Sequence, residues 1–596
     1  MIIQRIAYPE TATLEEDLYI RFNHSNVALF GEKREIISAH SFQRIDFNTY
    51  FNMFSIRKWK KYTSISNIKL SIDILGAARV VLTGYELHGQ SIEEYILDSV
   101  VVDHKERKNV TIEYPHGVSS DAFSFCIYPL SEQVHLYEGA YISDIDEEKL
   151  NDIKLALAIC TYHRETFVER NMRMLLDNVF CNPASLLHGR IKVYISDNGN
   201  TLRPDHFDNS SVVIIPNKNS GGAGGFSRSA IEAIEDNVYS ATHIILMDDD
   251  IQFSVDALER TYIFLRLLKS EYLTGMIGGA MLRMDLRNIQ HAAGETFTAN
   301  GGILNKTNYD LYDLHYILRN EVEENINYLG WWYCCVSKAV FEKNGFALPI
   351  FFQLDDIEFG LRNTGIPKIT LNGICCWHPP LFQWPGARIY YSVRNTAIVK
   401  ALYFDEFSKI RFLLDVSKPA IKNLFLMSYQ EANLALLGGE DFLKGLSWLR
   451  NQDPKALNDK IYSLVTQPVP VEKMPCSFDP RALKWNGDFY KVKRHAFLCW
   501  ITLNGWLLPS RKVVTVELNN PPLRYLYRAK TVIKYDTNMK KGLVANRDYK
   551  EAARIICRLF RLSLSAGTRY NDVVDENLKI KNEVITKDFW KKYLGA

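Results

Sequence analysis

Along its first 145 positions the chain alternates apolar and polar residues, as in Lys69-Leu-Ser-Ile-Asp-Ile-Leu75 and Val110-Thr-Ile-Glu-Tyr114, with glycine, asparagine and His-Gly turns between short runs. A period of two puts successive side chains on opposite faces, so these runs predict strands with one buried face. Their number and spacing predict an antiparallel β-sandwich over residues 1–150. The acidic stretch Asp144-Ile-Asp-Glu-Glu-Lys-Leu-Asn-Asp152 breaks the pattern and predicts a linker, with a new domain opening near Asn151.

From there strands alternate with helices. Leu155 to Cys160 is a strand, Arg164 to about Val179 an amphipathic helix, and Val193-Tyr-Ile-Ser196 and Val212 to Ile215 are further strands. A helix from about Phe226 and a strand His243 to Met247 follow. This order predicts a mostly parallel, doubly wound sheet over residues 151–400. From 401 to 596 the apolar spacing turns helical, as in Ile421-Lys-Asn-Leu-Phe-Leu-Met-Ser-Tyr429 and Phe442-Leu-Lys-Gly-Leu-Ser-Trp-Leu449. The expected fold class is therefore multidomain α/β: β-sandwich, Rossmann-like domain, mainly helical C-terminal region.

Composition changes this picture little. A chain of 596 residues exceeds what one core organises, and 47% hydrophobic with 23% charged residues is ordinary for a folded protein. The net charge of +2 argues against a dedicated nucleic-acid binder, so no nucleic acid is expected as partner. Met1-Ile-Ile-Gln-Arg-Ile-Ala-Tyr-Pro9 lacks the long apolar core of a secretory signal. The ten cysteines are scattered without CxxC spacing, which predicts reduced thiols and a cytoplasmic setting. No apolar run spans a bilayer, but Ala496-Phe-Leu-Cys-Trp-Ile-Thr-Leu-Asn-Gly-Trp-Leu-Leu508 lies between Lys491-Val-Lys-Arg494 and Arg511-Lys512. That arrangement fits either a peripheral contact with the inner face of a membrane or a core or subunit-contact helix.

The chemistry concentrates in a few places. His243-Ile-Ile-Leu-Met-Asp248-Asp249-Asp250 ends an apolar strand in three acids, at the sheet edge where ligands bind in such folds. Adjacent carboxylates repel, and a divalent cation removes that cost; oxygen ligands suit Mg²⁺ or Mn²⁺. The other reading is a solvated acidic turn. Asn217-Lys-Asn219-Ser-Gly221-Gly-Ala-Gly-Gly225-Phe-Ser-Arg228 reads as a glycine-rich loop from strand to helix, suited to a nucleotide diphosphate or merely to a tight turn. Arg164 after the first strand could clamp a phosphate and Asp197 after the next could accept from a base or ribose, or both could be surface residues. Trp331-Trp332 suits sugar stacking or a buried core pair. Asp355-Asp356 opens a helix and could supply a general base or stabilise the helix dipole. His378 after an apolar strand could complete a metal site or be structural.

Taken in order, Cys160-Thr-Tyr-His-Arg164, Gly221-Gly-Ala-Gly-Gly-Phe-Ser-Arg228, Met247-Asp-Asp-Asp-Ile251, Gly278-Gly-Ala-Met-Leu282 with Gly294-Glu295, Gly330-Trp-Trp332, Asp355-Asp356 with Phe359-Gly-Leu-Arg362, and Trp377-His378 with Val393-Arg-Asn395 resemble the GT-A-fold glycosyltransferases. More narrowly, they are similar to the bacterial galactofuranosyltransferases, including the mycobacterial galactan-polymerising members. The resemblance implies an N-terminal β-sandwich, a central GT-A domain, a helical C-terminal region and often a homotetramer. It implies a metal-dependent, inverting transfer of galactofuranose from UDP-galactofuranose to a lipid-linked or polysaccharide acceptor. By position, Asp248, Asp250 and His378 would hold Mn²⁺ or Mg²⁺, and Asp356 would be the general base. Arg164, Asp197, Asn219 and Asp249 would lie on the nucleotide side, and Trp331, Trp332, Asp355 and Glu295 would line the sugar sites. Two departures bear on the acceptor: Pro379-Pro-Leu-Phe-Gln-Trp-Pro-Gly386 differs from the acidic, polar stretch of the galactan-polymerising members, and the N-terminal region shows no motif blocks to align. A same-fold transferase using a rhamnosyl or hexopyranosyl donor is the alternative. A catalytically silent sugar-binding subunit is a further one, which the joint presence of Asp248, Asp250, Asp356 and His378 argues against.

Overall fold

The computed structural model describes residues 1–9, 15–22, 27–30, 35–38, 43–146, 148, 150–203, 205–379, 386–474, 493–519 and 521–595. Contacts divide the chain into two units. The first comprises Met1–Asn217, Gly225–Phe346 and Phe359–Pro380; the second comprises Lys218–Gly224, Ala347–Glu358 and Leu381–Ala596.

The first unit begins with an antiparallel sheet in the order Val27–Phe30, Glu35–Ser38, Val134–Ile142, Lys69–His88, Ala122–Pro129, Ile45–Asp46, and Lys69–His88 also pairs with Ser91–Glu113. Alternation in the sequence becomes alternation in space: Leu70, Ile72 and Ile74 are buried while Ser71 and Asp73 turn partly outward. The sheet that follows has the order Val212–Pro216, Ile191–Asp197, Leu155–Thr161, His243–Asp248, Cys334–Ser337, Met276–Arg283. Its first four strands run parallel, Cys334–Ser337 is antiparallel to both neighbours, and Lys368–His378 pairs parallel with Met276–Arg283. Leu155-Ala-Leu-Ala-Ile-Cys-Thr161 is almost wholly buried. A strand covered on both faces gains from being apolar at every position, and so it shows no alternation.

Strand order reverses between Leu155–Thr161 and His243–Asp248, which leaves a crevice outside their carboxyl ends. The two sheets share one core. Trp59, on the helix Ile56–Tyr62, stacks on Phe54 with centroids 5.4 Å apart and meets Phe264 of the helix Val255–Leu267 edge-on at 5.0 Å. Below it the Arg260 guanidinium, also buried, donates to the Phe51 carbonyl at 2.5 Å.

The second unit is mainly helical, as the sequence periodicity predicts. Arg388–Tyr403, Lys409–Phe425, Tyr429–Phe442, the 36-residue Tyr549–Val584 and Lys587–Leu594 surround a core that includes Phe412, Leu436, Leu562 and Val573. It also contains a four-stranded sheet in the order Val469–Pro470, Lys541–Asn546, Ala529–Asp536, Lys512–Glu517, which the helical reading did not anticipate. Those strands are two to eight residues long and bordered by Lys and Arg, so charge masks their period of two. No helix among the described residues is long and apolar enough to cross a membrane. The described cysteines are free thiols, as their spacing predicts.

Because Trp59 joins the two sheets of the first unit, Trp59→Ala should cost about 3–5 kcal/mol by leaving a large cavity. The expected result is a lower urea midpoint with an unchanged denaturant slope, followed by tryptophan fluorescence and circular dichroism.

Candidate functional site

The acids and the histidine meet because two strand ends are tied together. Gln252, just past the strand that ends at Asp248, and Trp377, next to His378 at the end of its own strand, exchange reciprocal backbone hydrogen bonds, both 2.8 Å. His378 Nε2 lies 3.8 Å from an oxygen of Asp248 and 3.8 Å from one of Asp250. Its Nδ1 is 2.6 Å from the Pro379 carbonyl, an atom that only accepts, so Nδ1 carries a proton and Nε2 is the ring nitrogen turned toward the acids. One ligand atom from each of Asp248, Asp250 and His378 fits within a span of 4.8 Å, a group able to hold a metal ion.

Arg164, at the start of the helix Glu165–Leu175, places one guanidinium nitrogen 3.0 Å from Asp249 and 2.5 Å from Asp250. Burial pushes the Asp249 carboxyl up despite this partner. The backbone of the acidic turn is held by the same helix: Asn171 donates to the carbonyls of Asp249 and Ile251 at 3.2 and 3.1 Å, and Arg170 donates to Ile251 at 2.5 Å. Neither Arg170 nor Asn171 stands out in the sequence, because each acts through carbonyls some 80 positions away. A cavity of about 390 Å³ opens beside this turn, with Arg170, Gln252, Tyr19 and Trp377 among its lining, and Arg287 stacks over the Trp377 ring at 4.2 Å.

Asp197 ends its strand fully buried, and its carboxylate accepts from the backbone N–H groups of Gly199, Thr201 and Leu202 at 2.9, 2.6 and 2.7 Å. It therefore shapes the following loop. The glycine-rich stretch differs from its sequence reading: the helix begins at Gly221 rather than near Phe226, and the glycines form its first turns. Close packing is the reason. A Cβ on Gly225 would sit 2.1 Å from Cys160 Sγ, and Ser229 of the same helix bridges the Ser196 N–H and the Ile159 carbonyl. In the second unit Gly221 has φ of +68°, and a Cβ there would lie 2.1 Å from the Phe351 carbonyl, which accepts from Ala223. Asn219 caps this turn by accepting from the Gly221 N–H at 3.1 Å.

Trp331 is buried, edge-on to Phe226 and Phe359, and its indole N–H has no hydrogen-bond partner among the described residues. Trp332 donates to the Gly279 carbonyl at 2.9 Å and lies over Gly330, where a Cβ would come within 2.2 Å of the ring. Glu295 is wholly buried at the start of a short hairpin strand, bridged to Tyr328.

In the second unit, Asp355 and Asp356 open the helix Asp355–Arg362 after a contorted loop in which Phe351, Gln353 and Leu354 all have φ between 65° and 78°. The fully buried Asn395 holds that loop, donating to the carbonyls of Ile350, Phe352 and Gln353 at 3.1, 2.9 and 3.0 Å, and Arg394 donates to Ile350 at 2.7 Å. Glu358 accepts from the Tyr403 hydroxyl at 2.5 Å. Burial, and then the neighbouring Asp356 charge, push the Asp355 carboxyl up to about 8; burial raises Asp356 to about 6. The segment 380–385 after His378, and Lys491 and Val492 of the basic stretch, lie outside the described residues.

Residues 3–119 match the family described as Galactofuranosyltransferase 2 N-terminal. The chain is similar to galactofuranosyltransferase GlfT2 of Mycobacterium tuberculosis (strain ATCC 25618 / H37Rv), 24% identical over 440 residues that cover 67% of this chain and 65% of that protein. It is similar in the same degree to GlfT2 of Mycolicibacterium smegmatis, 24% identical over 430 residues covering 67% and 64%. The match thus spans just under two thirds of the length of these relatives. Among solved structures, mannosyltransferase PcManGT from Pyrobaculum calidifontis in complex with GDP-Man and Mn2+ aligns with a TM-score of 0.29 and 11% identity over 54% of this chain and 83% of that one, too slight a likeness to argue from.

The raised Asp355 pKa gives a signed expectation. A carboxyl whose folded pKa exceeds its unfolded value of about 4 contributes stability that is complete below that value and is lost as pH rises through the folded pKa, here about 8. The melting temperature of the wild type should fall relative to that of Asp355→Asn between pH 5 and 9. Parallel curves for the two proteins across that range would contradict the assignment.

Proposed function

We propose that the chain is an inverting, divalent-metal-dependent glycosyltransferase that transfers galactofuranose from UDP-galactofuranose to a growing bacterial cell-surface glycan, on a GT-A domain. The observation that carries this reading is the gathering of Asp248, Asp250 and His378 at the carboxyl ends of neighbouring strands, in a chain similar to proteins named galactofuranosyltransferase.

The ligand set fits the cation it would need: two hard carboxylate oxygens and one imidazole nitrogen suit Mn²⁺ or Mg²⁺. What such a cation supplies when bound is compensation for the charge that grows on the departing diphosphate. The rest falls to the chain's own groups. The acceptor hydroxyl oxygen bonds to the anomeric carbon as the bond to the diphosphate oxygen breaks on the opposite face, which inverts the centre. Asp356 takes the hydroxyl proton. Burial raises its carboxyl above the usual aspartate range, which makes it more basic than a surface aspartate, as a general base should be.

Asp355, whose carboxyl burial and the neighbouring Asp356 push upward, can in its protonated form donate a hydrogen bond to a sugar hydroxyl. Trp331 has a buried N–H suited to a sugar oxygen, and Trp332 and Glu295 complete the sugar-binding set. Arg164 and Asp249 serve the nucleotide, while Asp197 and Asn219 serve it by fixing the loops they cap.

A lipid-linked acceptor fits the exposed Phe497, Trp500 and Leu507, which are 66%, 78% and 68% accessible and near Arg511 and Lys512, as a peripheral contact with the inner face of the plasma membrane requires. Exposed Ile410 and Leu414 on one helix, and Ile556, Phe560 and Leu564 on another, give the second unit apolar faces on which a homotetramer could form.

The test is a donor panel with and without EDTA. Transfer should occur with UDP-galactofuranose and Mn²⁺ or Mg²⁺, and the double variant Asp248→Ala, Asp250→Ala should lose at least about a hundredfold, since several kcal/mol of charge stabilisation disappear. Turnover with rhamnosyl or hexopyranosyl nucleotides in its place would move the donor assignment, and inertness with every donor would leave a sugar-binding subunit.

A further inference from the structure

Three lysines of the first unit, Lys58 and Lys306 buried and Lys368 half-buried, have no carboxylate paired with them. Lys58 and Lys306 are 3% and 4% accessible, and both ammonium groups donate to one oxygen, the Asn320 carbonyl, each at 2.7 Å. Two donors on a single oxygen stand within about 5.5 Å of each other, so two like charges share one small volume. Lys58 also donates to the Thr370 carbonyl at 2.8 Å, and Lys368 donates to Asn363 and Ile366 at 2.9 and 3.1 Å. All these acceptors are neutral. Among the described residues, none of the three ammonium groups has a carboxylate within ion-pair distance.

Three acids stand nearby: Glu321 is buried with one oxygen making no hydrogen bond, and Glu323 and Glu324 line the cavity, yet none lies within ion-pair distance of the three lysines. One Glu321 oxygen accepts from Ser55 and Asn372, both at 2.7 Å. Glu323 is taken by Lys61 and the Tyr62 hydroxyl. Glu324 lines the edge of a cavity of about 340 Å³ into which Lys58, Lys306 and Lys368 all open, together with Lys61. Burial, followed by the charge of Lys58 and against the pull of Glu321, Glu324 and Glu323, lowers Lys306 to about 7. These acids act only from a distance, so desolvated ammonium groups that open onto a polar cavity gain from an anion that bonds them directly.

We propose that this cavity binds a phosphate or diphosphate group through Lys58, Lys306 and Lys368. Each lysine has at least one N–H beyond its carbonyl bonds, and a compact tetrahedral oxyanion can accept from all three at once. The site is separate from the acid–histidine cluster: Lys368 begins the eleven-residue strand that His378 ends, so roughly 30 Å of strand lies between them. It is therefore independent of the transferase reading.

Calorimetric titration of the full chain at pH 8, in two buffers of different ionisation enthalpy, tests this with inorganic phosphate, inorganic diphosphate, and vesicles containing phosphatidic acid. One-to-one binding with proton uptake is expected, because the anion restores the charge on Lys306. Lys306→Met and Lys368→Gln should each weaken it at least about tenfold, while Asp248→Ala, Asp250→Ala should bind as the wild type does. Lys368 sits at the cavity edge, so Lys368→Gln decides the matter if Lys306→Met fails to fold. Binding to vesicles and not to the free ions assigns the group to a lipid headgroup and keeps the site. No heat with any of the three at millimolar concentration, binding indifferent to the lysine variants, or binding abolished by the aspartate variant overturns the proposal.

Discussion

Three consecutive carboxylates resist being placed together. At about 4 Å and an effective dielectric near 20, each unscreened pair repels by about 4 kcal/mol. The backbone exchange between Gln252 and Trp377 holds the turn against that repulsion, while Arg164 lies against Asp249 and Asp250 and the helix Glu165–Leu175 secures the turn's carbonyls. Everything chemical in the first unit depends on this arrangement. It fixes where the acids end, it delivers His378 from a distant strand, and it leaves Nε2 as the free face of the imidazole.

Much of this was readable from the sequence, for a physical reason. The run before Asp248 is apolar at every position because the strand is covered on both faces, and acids at the end of such a run must emerge at the sheet's rim. His378 was readable by the same logic. The glycines from Gly221 to Gly225 were misread as a loop, since intimate helix packing and loop flexibility call for the same residue. The small sheet between Val469 and Asn546 was hidden by its own lysines and arginines. Arg170, Asn171, Arg394 and Asn395 were not legible as positioning residues. They act through main-chain oxygens, and a carbonyl leaves no mark in the sequence of the segment that offers it.

The two ends of the resemblance reinforce each other. The motif blocks lie between Cys160 and Asn395, whereas the family match covers residues 3–119, which carry no such block. A strand is specified by alternation and by what fits a pleated surface, and many sequences satisfy both. A site is specified by particular atoms. Blocks of particular residues are thus conspicuous in a single sequence, and the antiparallel sheet becomes recognisable only when many weak preferences are summed.

The loop from Ile350 to Leu354 is a cocked segment. Three side-chain-bearing residues occupy a backbone region that L-amino acids disfavour by about 1–2 kcal/mol apiece, and Arg394 and Asn395, more than forty positions downstream, hold the loop's carbonyls. Relaxation of such a segment is local by construction. Without the Asn395 carboxamide the carbonyls of Phe352 and Gln353 would lose this donor directly ahead of the Asp355–Asp356 helix start.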